Sequence, residues 1–149
     1  MSDFIILYCD GASRNNPGQS GWGVYLKYKQ YEKRLNGYVQ HATNNQMELM
    51  AVIKGLEAVK DSNVPIHVYT DSNLVKRGMN EWLKNWKAKG WKTASRKPVK
   101  NVEMWKELDK LNQKYKVEYH WVKAHASDPL NNLVDRLANK AIDAKGSTE

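Results

Sequence analysis

Cysteine is nearly absent from this chain: Cys9 stands alone among 149 residues. That excludes an internal disulfide and leaves any cysteine-based metal site short of ligands, so Cys9 is expected to be a small buried strand residue. Long apolar runs are missing too. No stretch approaches the roughly 18 uninterrupted apolar residues that a membrane span needs, and no membrane partner is expected. The N-terminal MSDFIILYCDG holds an acid at Asp3 and only six consecutive apolar residues before Asp10. It lacks the basic start and long apolar stretch of a secretory signal, so a cytoplasmic chain is expected. Repeats and low-complexity linkers are also lacking, and the length suits one domain at about 100 to 200 residues per domain. Residues 1–145 are expected to form it, with 146–149 as a frayed tail.

Acids are missing from one place. Between Trp82 and Val102 there is none, while Lys84, Lys87, Lys89, Lys92, Arg96, Lys97 and Lys100 all fall there. Without those seven, the remaining 17 basic and 16 acidic residues nearly cancel, although the whole chain carries +8. A nearly neutral domain with one basic attachment, about 81–101, suits a polyanion. Three of the six tryptophans, Trp82, Trp86 and Trp91, lie in the same segment.

The apolar run Phe4 to Cys9 ends at Asp10 and Gly11 before turn residues and reads as a first strand. Gly21 to Tyr28 and about Lys33 to Val39 continue an antiparallel meander around a polar tip at Lys29 to Glu32. The period then changes to that of a helix. From Asn45 to Lys60, Leu49, Val52, Ile53, Leu56 and Val59 share a face, with Thr43, Asn44 and Asn45 available as caps. Ile66 to Thr70 is a fourth strand ending at Asp71, with a helix beginning at Ser72. Since a helical crossover normally yields a parallel strand, Asp10 and Asp71 should come to one edge of the sheet. A helix about Glu81 to Lys89 stops at Gly90, another spans about Val102 to Tyr115, and Val117 to Val122 makes a fifth strand. A last helix, about Leu130 to Ala144, has Val134, Leu137, Ala138 and Ile142 on its apolar face.

Four acids stand out by position: Asp10 and Asp71 at strand ends, Glu48 early in the first helix and Asp135 early in the last. Both helical acids border apolar faces and are expected to point inward. Each alone could be a turn cap or a helix N-terminal acid favoured by the macrodipole. Together, beyond the carboxyl ends of parallel strands where ligands bind in open sheets, they would repel unless cations sat among them. Oxygen-only ligation favours Mg2+, with Mn2+ as a substitute, over zinc. Two such ions per site would activate water and stabilise the leaving oxygen of an in-line phosphoryl displacement, so a metal-dependent nuclease is expected.

The stretches CDGASRNNPG, TNNQMELMAVIKGLEAV, YTDSNLV, NEWLKNWKAKGWKTASRKPVKNVEMW and WVKAHASDPLNNLVDRLAN resemble, in order and nearly end to end, the landmarks of type 1 ribonuclease H. The resemblance implies an α/β fold: a mixed five-stranded sheet, three strands antiparallel and two parallel, flanked by helices and carrying a basic helical protrusion. It implies a magnesium-dependent endoribonuclease that acts on RNA/DNA hybrids and cuts the RNA strand to leave 5′-phosphate and 3′-hydroxyl ends; a monomer is expected. Asp10, Glu48, Asp71 and Asp135 stand at the family's metal-binding positions, and His125 at that of a mobile histidine that shuttles a proton or assists product release. The loop departs from the family pattern at Ala124, Ser127, Leu130 and Asn132, which implies a stiffer, less negative segment.

The resemblance also implies a substrate surface. The backbone of Gly11 to Ser13 and the amides of Asn16, Asn44 and Asn45 would line the minor groove, with Asn73 where glutamine is common. Thr43 and Asn16 resemble part of a pocket for a DNA-strand phosphate, Trp82 an aromatic that packs on deoxyribose, and Lys87, Lys89 and Lys92 the cationic face of the protrusion. Asn16 and Asn44 could equally serve turns and caps, and Trp86 and Trp91 are expected to pack the protrusion itself. His41, His67 and His120 match no catalytic position and are expected to be structural or surface residues. Three other functions remain open. DNA strand cleavage or transfer shares this fold class. A hybrid-binding module would gain nothing from repelling carboxylates. A phosphatase using Asp10 as nucleophile would want a second aspartate where Ala12 stands.

Overall fold

A computed structural model describes residues 3–60, 63–123 and 128–149. Its strands are β1 Ile5–Ser13, β2 Gly18–Tyr28, β3 Tyr31–Ala42, β4 Ile66–Thr70 and β5 Val117–Trp121. They form one mixed sheet in the order β3-β2-β1-β4-β5. The first three are antiparallel, as the meander predicts, and β1–β4 and β4–β5 are both parallel. The tip between β2 and β3 is tighter than the sequence suggests. Tyr28 already pairs with Tyr31, leaving Lys29 and Gln30 as the turn, with Lys29 in the left-handed region.

Helix α1, Asn44–Glu57, starts where the capping residues predict. The Thr43 hydroxyl accepts from the Gln46 N–H and the Gln46 side chain accepts from the Thr43 N–H, satisfying two otherwise orphaned donors. It ends three residues before Lys60. Helices α1 and α4 (Val102–Lys114) cover one face of the sheet, burying Leu7, Val24, Ile66 and Val68 against Leu49, Val52, Leu56, Trp105 and Leu108. Helix α5, Pro129–Ala144, covers the other face over β1 and β2, where Val134 and Leu137 meet Tyr8 and Tyr25. Its N-cap, Asp128, accepts the Leu130 N–H on one oxygen and the Tyr8 hydroxyl on the other, joining helix to sheet.

Three expectations are corrected. Strand β1 does not stop at Asp10 but runs to Ser13, because β2 keeps pairing with it through Ser13↔Ser20 after its parallel pairing with β4 has ended at Tyr8↔Tyr69. The chain from Ser72 to Lys89 is one helical run rather than two helices: α2 (Asn73–Arg77) passes through a π-helical turn at Gly78–Trp82 into α3 (Leu83–Ala88). The tail is tied down rather than frayed. Asn36, buried on β3, accepts the Thr148 N–H at 2.8 Å and donates to its hydroxyl at 2.8 Å. Among the described residues no helix is long and apolar enough to cross a membrane.

Close approach of α5 to the sheet depends on Gly23, where a Cβ would lie 2.8 Å from the Leu137 Cβ and 3.0 Å from the Ala138 N. Gly23→Ala is therefore expected to lower stability by about 1–3 kcal/mol, as overpacking does, measured as a reduced urea midpoint at unchanged m-value.

Candidate active site

Where β1 outruns β4, the sheet opens, and the carboxylates collect there. Asp10 lies on β1 opposite Gly23, two residues past the last β1–β4 pair, and Asp71 immediately follows β4. Glu48 arrives from α1, the fifth residue of that helix. Its approach requires Gly11, since a Cβ there would lie 2.5 Å from the Glu48 backbone nitrogen. Carboxylate oxygens of Asp10, Glu48 and Asp71 lie within 4.8 Å of one another. Ser72 ties the group together: its N–H bonds the Thr70 hydroxyl, its own hydroxyl caps α2 by accepting from Val75, and it hydrogen-bonds Glu48.

These three acids line a cleft of about 380 Å³ together with Gly11, Ala12, Ser13, Asn44, Asn131, Asn132 and Asp135. Asp135 reaches the cleft but not the cluster. Its place beside Val134 and Ala138 predicts an inward side chain, yet it is exposed, and Asn139 one turn on donates to its carboxylate at 3.4 Å. A residue missed from the sequence is Asn131, 2% exposed, whose amide donates to an Asp71 oxygen at 3.4 Å. Its Oδ1 is buried with no hydrogen-bond partner among the described residues. The signal was there in helical spacing: Asn131 lies four residues before Asp135 and three before Val134, on the face that meets the sheet.

Burial, with crowding added, sets the electrostatics. Burial, then the charges of Asp71 and Glu48, push the Asp10 carboxyl up to about 9, against one opposing hydrogen bond from the Gly11 N–H at 3.0 Å. Burial raises Glu48 to about 7, with the Ser72 hydroxyl working the other way and Asp71 adding to the rise. A cluster that resists ionisation, beside an unpartnered amide oxygen, is a donor set that a hard dication fits: oxygen ligands only, with charge to neutralise.

The remaining residues singled out by sequence fall into three groups. Ser13 and Asn44 line the cleft; the Ser13 hydroxyl is tied to the Ala42 carbonyl, and the Asn44 N–H donates to Asn16 Oδ1 at 2.9 Å. Thr43 is held as the α1 cap, while Asn45 and Asn73 are exposed at the first turns of α1 and α2. Farther off, Trp82 lies 5.7 Å from Trp86 with the Arg77 guanidinium 5.2 Å over its ring. Trp86 packs edge-on against buried Trp105, and Trp91 joins the same core, as their spacing predicts. Lys89 and Lys92 are exposed, but Lys87 is engaged by Asp109 at 3.2 Å. His125 lies outside the described residues.

The sequence model of the RNase H family matches residues 2–143. A ribonuclease H from Ruthia magnifica subsp. Calyptogena magnifica is 55% identical over 139 residues, covering 93% of this chain and 95% of that one. Among solved structures, LC9-RNase H1, a type 1 RNase H with the type 2 active-site motif, superposes with a TM-score of 0.83 at 26% identity, over 99% of this chain and 76% of its own. LC11-RNase H1, solved in complex with RNA/DNA hybrid, shares the fold at a TM-score of 0.70 and 24% identity, over 95% of this chain and 98% of its own.

The raised carboxyl values fix the sign of a pH effect. Between the unfolded carboxyl values near 4 and the native values of about 7 and 9, the native state holds protons that the unfolded chain releases. In chelator, stability should therefore fall as pH rises from about 5 to 9, the reverse of a salt-bridged carboxylate. Asp10→Asn is expected to flatten that fall and to exceed the unsubstituted protein in stability at pH 8 by on the order of 1–3 kcal/mol, read from denaturant unfolding at several pH values.

Proposed function

This chain belongs to the ribonuclease H family, and from that premise we propose that it is an endoribonuclease that hydrolyses the RNA strand of RNA/DNA hybrids at the cleft holding Asp10, Glu48, Asp71 and Asp135. The observation that carries the proposal is the meeting of three carboxylates from β1, α1 and the end of β4 within 4.8 Å. Asp10, Glu48 and Asp71 would hold the divalent cations, Mg2+ by preference, and Asp135 would add a ligand from the rim. Two bound dications would supply an activated water and neutralise charge at the scissile phosphate.

The chain's own residues do the rest. Asp71 is oriented by Asn131 and Glu48 by Ser72, so the cluster is held before substrate arrives. Attack on phosphorus with departure of the 3′ oxygen leaves 5′-phosphate and 3′-hydroxyl ends, and the proton for that oxygen is assigned to His125 on the sequence resemblance. Gly11, Ser13 and Asn44 line the cleft, and with Asn16, Thr43 and Asn45 they would face a hybrid's minor groove. There, 2′-hydroxyls distinguish the RNA strand from DNA. On the sequence resemblance, Asn73 and Trp82 would extend that surface toward Lys89 and Lys92, whose charges suit the far backbone.

The decisive assay presents one sequence as hybrid, double-stranded RNA and double-stranded DNA, each strand labelled in turn, with Mg2+ and with chelator. Loss of the hybrid's RNA strand alone, only with Mg2+, is expected; cutting of duplex DNA, or hybrid binding without cleavage, would overturn the assignment. Asp10→Asn should lower kcat more than about a hundredfold while retaining hybrid binding, and His125→Ala should lower it by about a hundredfold. Because Lys87 is engaged by Asp109, Lys89→Ala with Lys92→Ala should flatten the salt dependence of KM more than Lys87→Ala does. The log–log slope should change by about 0.9 for each phosphate that is no longer neutralised.

A further inference from the structure

Helix α5 covers the sheet over β1, β2 and β3, and the same face of β4 and β5 carries a second group of metal-ligating side chains. The parallel register sets Glu118 opposite His67 and His120 opposite Tyr69. With Ile66, Val68 and Thr70 turned into the core, strand alternation puts His67, Tyr69, Glu118 and His120 on the opposite side. There His67 Nδ1 lies 2.7 Å from His120 Nε2 and 3.4 Å from a Glu118 carboxylate oxygen, and the three donor atoms lie within 4.8 Å of one another. The two imidazole centroids are 5.0 Å apart with planes 18° from parallel. With the nitrogens at 2.7 Å, that is the geometry of rings meeting edge to edge through one hydrogen. Neighbouring rings hold both planes: the edge of Phe4 at 4.8 Å from His67 and the face of Tyr69 at 4.8 Å from His120.

Two ring nitrogens at hydrogen-bond distance have room for one proton between them, and a carboxylate oxygen converges on the same point. The geometry points to a binding site for a transition-metal dication of the Zn2+ class, formed by His67, His120 and Glu118, in which the ion takes the place of that shared proton. Two imidazoles and a carboxylate are a donor set suited to zinc, whereas the oxygen-only cluster at Asp10 suits magnesium. Tetrahedral ligation at about 2.0–2.1 Å would set ligand atoms about 3.3 Å apart. His67 and Glu118 already meet that spacing, and the two nitrogens must part by about 0.6 Å while each ring turns to aim its lone pair at the ion. The Glu118 side chain is 67% exposed and that of His67 24%, so an ion enters from solvent and water completes its shell. The bound ion would clamp β4 to β5 a few residues before Asp71. The site is independent of the hydrolytic assignment.

The test is a Zn2+ titration of the full-length, 15N-labelled protein in excess Mg2+, which occupies carboxylate sites, followed through the imidazole nitrogens of the chain's four histidines. One equivalent should shift His67 Nδ1 and His120 Nε2 and leave His41, on edge strand β3, unmoved. His120→Gln and Glu118→Gln should each weaken Zn2+ binding by more than about tenfold. Glu118→Gln changes an exposed side chain, and an unaltered metal-free melting curve separates ligand loss from unfolding. Zn2+ that leaves the His67 and His120 nitrogens unmoved, or that binds His120→Gln as tightly as the unsubstituted protein, would overturn the site and leave the pair as a hydrogen bond.

Discussion

Mutual repulsion of carboxylates held in one place is the constraint around which this molecule is arranged. Asp10, Glu48 and Asp71 come from β1, α1 and the residue that follows β4, and each is kept within 4.8 Å of the others by packing that the charges oppose. Helix α1 reaches β1 because Gly11 presents no Cβ, β4 ends where Ser72 turns the chain into α2, and α5 brings Asn131 to Asp71. The carboxyl values of Asp10 and Glu48 are raised first by burial and then by the neighbouring carboxylates. Such crowding costs stability in the free protein and would be relieved by cations, as the proposed hydrolysis requires.

Much of this was legible from local pattern. Strand β4 matches its apolar run, α1 begins at the cap that Thr43 and Gln46 form, and the apolar stripe of α5 faces the sheet. That Asp10, Glu48 and Asp71 would come together was legible as well, since each sits at a recognisable strand end or early in a helix. What sequence could not show depends on partners distant along the chain. Strand β1 continues past Asp10 only because β2 pairs with it, and the tail is fixed only because Asn36, more than a hundred residues earlier, bonds Thr148. The convergence of His67, His120 and Glu118 follows from β4–β5 register, which sequence does not carry. Asp135 lies on the expected helix, but its side chain is exposed and bonded by Asn139 rather than turned inward.

The basic segment shows composition and structure dividing the labour. Its charge is plain in the sequence, whereas its shape comes from tryptophans that serve as scaffold. Trp86 and Trp91 join the core around Trp105, so the π-helical turn can carry Trp82 onto a different, half-buried surface. The pairing of Lys87 with Asp109 shows that a count of cations overstates those free to meet a phosphate backbone.

The central claim is that the carboxylate cleft is a divalent-cation centre that acts on a hybrid. It is tested most directly by crystals of the Asp135→Asn protein soaked in Mn2+ with RNA/DNA hybrid, using anomalous scattering to locate the ions. The account expects manganese against Asp10, Glu48 and Asp71, with an RNA-strand phosphate beside it. Manganese absent from those carboxylates, or a hybrid seated away from the cleft, would contradict it.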